Sequence, residues 1–155
     1  MHRTRPLDLL VPFLIIGITA YALLRFSYED FPALRYFVPV PLAALAVAEL
    51  VAARRVRNAI RHKPDARPMA ALVIARCVAL GKASSLVGAA VAGAAAALLV
   101  RVLPDSGEIR AAAHDGRVGG LLLGASVLLV IAGLALERAG IDPNRRNGSD
   151  QLPER

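Results

Sequence analysis

Long apolar runs, separated by short basic clusters and punctuated by proline, set the pattern of this chain. A bilayer-crossing helix needs about 20 predominantly apolar residues, and four segments meet that length. The first runs from about Leu7 to Leu24, with Thr4 placed to cap it, Pro6 suited to an early helical position and Pro12 expected to bend its first turns. The second starts at about Val38, where Pro39 and Pro41 fall where missing amide donors matter least, and continues into Ala52–Ala53. The third lies between Pro68 and Pro104. The fourth spans about Val118 to Leu136, and Gly140 followed by Pro143 reads as its stop.

The third run is too long for one crossing. From Met69 to Leu103 is 35 residues, roughly 50 Å of helix against a hydrocarbon core of about 30 Å. The segment before it, RRVRNAIRHKPDARP, keeps Val56 and Ile60 at helical spacing among arginines. Helix two is therefore expected to continue to about Arg61, turn at His62–Arg67 and pack antiparallel on helix three. The predicted fold is all-α: an integral membrane four-helix bundle with a cytoplasmic extension of helices two and three. Residues 1–141 form the transmembrane domain, and 142–155, polar with proline and glycine, form a disordered cytoplasmic tail.

Charge sets the orientation. The N-terminal segment, the Arg54–Arg67 region and the tail hold twelve Lys and Arg, against five in the other two loops. The positive-inside rule then places both termini in the cytoplasm of a multi-pass cell-membrane protein. Six of the seven aromatics fall between Tyr21 and Phe37, as an interfacial belt would. A competing reading makes the first run a signal peptide cleaved after Ala20-Tyr21-Ala22, but the apolar run continues past that point, which favours an uncleaved span.

Two cations, Arg76 and Lys82, interrupt the stretch ARCVALGKASSLVGAAVAG. In a hairpin turning near residue 65, Glu49 faces Lys82, which predicts an intramembrane charge pair with Ser84 or Ser85 in support. A lone charge there is costly, and a partnered one less so. Arg76 lies nearer the surface and is expected to reach headgroups, as are Arg54, Arg55, Arg57 and Arg61. A helix-registering role for Glu49 and Lys82 is preferred, with an ion or proton path as the alternative.

Small residues supply the remaining pattern. Gly116, Gly120 and Gly124 form a double GxxxG, and Gly93 and Ala97 of helix three are expected to meet Gly120 and Gly124. Intramolecular packing is preferred here over a homodimer seam. In the third loop, Asp105 and Glu108 have capping-box spacing, and His114–Asp115 is expected in a solvated turn. With one cysteine, Cys77, and three scattered histidines, no metal set, zinc spacing, P-loop or nucleophile motif occurs. The net charge of +7 lies between apolar runs rather than along one polar face, which argues against nucleic acid. No catalytic residues and no cofactor are expected.

Ala46-Val47-Ala48-Glu49, Ala75-Arg76, Lys82-Ala83-Ser84, Gly88 and the Asp115-Gly116 step carry a family resemblance. Together they resemble an actinobacterial family of small membrane proteins, domain of unknown function 3180. The resemblance covers most of the chain, to about Arg138, and implies a four-helix membrane protein without an assigned activity. The expected function is a non-enzymatic scaffold or partner-binding membrane protein. Its expected partners are the bilayer, anionic phospholipids, a membrane or cytoplasmic protein, or a second copy of the chain. The alternative is a small transporter or channel component using Glu49 and Lys82.

Overall fold

The computed structural model describes residues 6–27, 37–60, 70–104 and 110–140 of the 155. Four helices make up nearly all of them: α1 (Pro6–Ser27), α2 (Pro39–Ile60), α3 (Ala71–Val102) and α4 (Arg110–Ala139). Arg61, the turn at His62–Arg67, the Asp105–Glu108 pair and the tail from Asp142 lie outside the described residues.

Three of the helices, α1, α3 and α4, are long and apolar enough to cross a membrane. α2 was expected to join them and does not reach the same standard, because Glu49 and the run Arg54, Arg55, Arg57 fall within its 22 residues. α4 starts earlier than expected, at Arg110, so His114 and Asp115 lie in its opening turns rather than in a solvated turn, and Asp115 is buried.

The helices form a row in the order α1, α3, α4, α2. α3 packs between α1 and α4, and α4 packs between α3 and α2. α2 meets α3 over a short stretch, and among the described residues α1 touches neither α2 nor α4. The direct α2–α3 hairpin is thus overturned, because α4 supplies the surface that α2 needs. Leu129 and Ala132 pack on Ala46, while Leu136 and Ala139 pack on Ala53 and Val56. These α4 residues recur at three- and four-residue steps, the period of a helix face turned toward one neighbour.

Contacts fix the directions. Gly17 lies against Gly93, and Leu24 packs on Leu98 and Val102, so α1 runs parallel to α3. The rising pairs of α2 and α4 make those two parallel as well. Gly81 faces Gly133 while Gly119 faces Leu98 and Leu99, so α3 and α4 are antiparallel. Successive helices therefore alternate in direction, and Pro6 and Ala139 lie at the same end of the row. The row is also staggered. Carried across α4, Pro39 begins near the level of Gly93, nearly three helical turns below the level where α1 ends.

The α3–α4 contact uses a spacing different from the one expected. Gly81 and Gly88 on α3 meet Gly133 and Ser126 on α4, and Gly119 continues the α4 series. Small residues thus recur every seven positions on both helices, the repeat of a left-handed crossing rather than of a four-residue GxxxG seam. A Cβ at Gly81 would lie 2.6 Å from the Gly133 carbonyl oxygen, and one at Gly133 would lie 2.5 Å from the Gly81 oxygen. Backbone meets backbone here, and neither position has room for a side chain.

Candidate functional site

The buried positions of α2 are Pro39, Ala46, Glu49, Ala53 and Val56. The steps from Ala46 onward are three or four residues, so the helical period itself carries Glu49 to the centre of the packed face. Its side chain is 1% exposed. Both carboxyl oxygens are buried and have no hydrogen-bond partner among the described residues. Packing does not explain this feature, since a buried polar group without a partner costs free energy.

α3 contributes the polar group beside it. Ser84, itself buried, presents its hydroxyl toward Glu49 without completing a hydrogen bond. The Ser85 hydroxyl is already used, donating to the Lys82 carbonyl oxygen at 2.9 Å. On α4 the neighbouring surface is Ala132 and Gly133, next to the close approach of Gly81.

Lys82 does not join this group. It is exposed and forms no ion pair with Glu49. The expected pair was placed at nearly the right height, since Ser84 is two residues along, but on the wrong side of α3. Two residues rotate a helix by about 200°, so Ser84 faces inward and Lys82 outward.

The other expected residues separate into two groups. Arg54, Arg55, Arg57 and Arg76 are all exposed. By the register above they share one end of the row with Arg138, also exposed. Gly93 is buried, but against Phe13 and Gly17 of α1, not against α4. Gly120 and Gly124 have open space where a side chain would stand, and Gly116 has one contact, 4.0 Å from Val102. The seam predicted between Gly93, Ala97, Gly120 and Gly124 is therefore not made within the chain. The four-residue glycine spacing marks the outer face of α4, whereas its inner face carries the heptad series Gly119, Ser126 and Gly133, a spacing also present in the sequence.

What the fold defines is an all-α protein of four helices, three of them of membrane-crossing length and apolarity. The chain belongs to the family described as protein of unknown function, DUF3180, whose pattern matches residues 9–143. No curated protein and no solved structure matches it.

Proposed function

We propose that this chain is an integral membrane protein that acts without catalysis, as a scaffold whose α4 docks a partner helix. The observation that carries this reading is the outward placement of Gly120 and Gly124. Glycine inside a helix is about 1 kcal/mol less favourable than alanine, and here no helix of the same chain uses the space it leaves. Exposed Leu121, Val127, Leu128 and Ile131 give the rest of that helix an apolar exterior. The expected result is that Gly120→Leu with Gly124→Leu leaves melting in detergent unchanged and abolishes co-purification of a partner from native membranes. Loss of folding, or a partner that is retained, would contradict it. A partner that proves to be a second copy makes the docking homotypic.

The exposed arginines at the Arg54–Arg57 end support a cytoplasmic location for that end, beside anionic phospholipid. Both termini then lie in the cytoplasm. An impermeant thiol reagent that reached a cysteine placed at Arg57 from outside intact cells would reverse this orientation.

A further inference from the structure

Among the buried acids of the described residues, Glu49 is the most deeply enclosed, and the scaffold reading leaves its chemistry unused. We propose that Glu49 is an exchangeable proton-binding site. The carboxyl is enclosed by three helices, with both oxygens free of hydrogen bonds among the described residues. A metal ion or sodium is a poor fit. Hard cations take six or more oxygen ligands. Here the side chains offer the two carboxyl oxygens and the Ser84 hydroxyl, and helical backbone carbonyls are committed to their own helices. A proton needs no such shell.

The charged groups around the site leave that role to Glu49 itself. On α2 the next charges are Arg54 and Arg55, a turn or more away and exposed. On α3, Lys82 is exposed and unpaired with Glu49. On α4, Glu137 is buried and has an interaction of its own, and the α2–α4 register sets it level with Arg54, about a turn and a half beyond Glu49. Among the described side chains, none of these cations pairs with the carboxyl.

Exchange requires access, and the row provides a means. α2 is the edge helix, seated chiefly on α4 and touching α3 only briefly. A small lateral movement of α2 opens Glu49 without disturbing the glycine seam between α3 and α4. Ser84 lies beside the carboxyl, and its hydroxyl can serve as a hydrogen-bond donor to the ionised acid or an acceptor from the protonated one.

The test uses the full chain in liposomes with dicyclohexylcarbodiimide, a lipid-soluble reagent that adds protonated carboxyls across its carbodiimide bond. The carboxyl proton passes to nitrogen, and the resulting acylisourea rearranges to a stable acylurea. Peptide mapping of the unaltered protein is expected to locate the adduct at Glu49, with labelling falling as pH rises from mildly acidic to mildly alkaline. Glu49→Gln removes the adduct, and Lys82→Met leaves both its position and its pH dependence unchanged. An adduct elsewhere, no adduct at Glu49 at any pH, or labelling that does not vary with pH overturns the proposal.

Discussion

Gly133→Leu is expected to unfold the α3–α4 pair at the centre of the row. The obstacle is backbone. A Cβ at this position would stand 2.5 Å from the Gly81 carbonyl oxygen and 2.9 Å from the Ser85 amide nitrogen. Overpacking a core usually costs about 1–3 kcal/mol, and that figure supposes side chains able to move. Here α3 would have to withdraw from α4, and the row would break at its centre, since α1 is attached through α3 and α2 through α4. Thermal melting in mild detergent should show a large loss. Even Gly133→Ala, which adds a single carbon, should be measurably less stable than the parent. The control is Gly124→Leu, a larger side chain on the same helix, which meets nothing within 4 Å and should melt as the parent does.

Glu49→Leu is expected to act in the opposite direction and stabilise the fold. Both carboxyl oxygens are buried without hydrogen-bond partners among the described residues. Removing a polar group of this kind typically recovers about 1–3 kcal/mol. Leucine also extends the apolar face formed by Ala46, Ala53 and Val56. Lys82→Met should fall within about 0.5 kcal/mol of the parent, as exposed substitutions do. A helix-registering ion pair predicts the reverse on both counts, because removing either member would leave the other charge buried alone. Melting curves of the two single variants, in the same detergent, separate these cases.

Four helices, the limits of α1, α2 and α3 to within a few residues, and the exposure of Arg54, Arg55, Arg57 and Arg76 were legible in the sequence, whereas the early start of α4 at Arg110 was not. Apolar length and proline placement report on single segments, and those signals are local. α2 ends at Ile60, one residue short of its expected end. The height of Glu49 along α3 was also close, because a hairpin with a known turn fixes register. What could not be read was which helix stands next to which. The excess length of the third run and the helical spacing of Val56 and Ile60 favoured α2 against α3, yet α4 carries a second apolar face, Leu129 to Ala139, that fits α2. α4 therefore needs two working faces, one of large residues toward α2 and one of small residues toward α3. A pattern of GxxxG reports where glycines cluster, and on α4 it marked the unused face. Glu49 itself was legible as an acid in an apolar helix, whereas its neighbour on α3 was assigned by height alone. Lys82 and Ser84 differ by two residues, and the choice between them depends on rotation of α3, which its neighbours set.

The central claim is that α2 is held by α4, and that Glu49 is thereby enclosed away from Lys82. Paired cysteines in a Cys77→Ser background test it directly. Oxidation in native membranes should join Ala46→Cys to Ala132→Cys, where α2 and α4 meet, and should leave Glu49→Cys with Lys82→Cys unlinked. A disulfide in the second pair and none in the first would show that α2 lies on α3 instead, and the arrangement described above would be wrong.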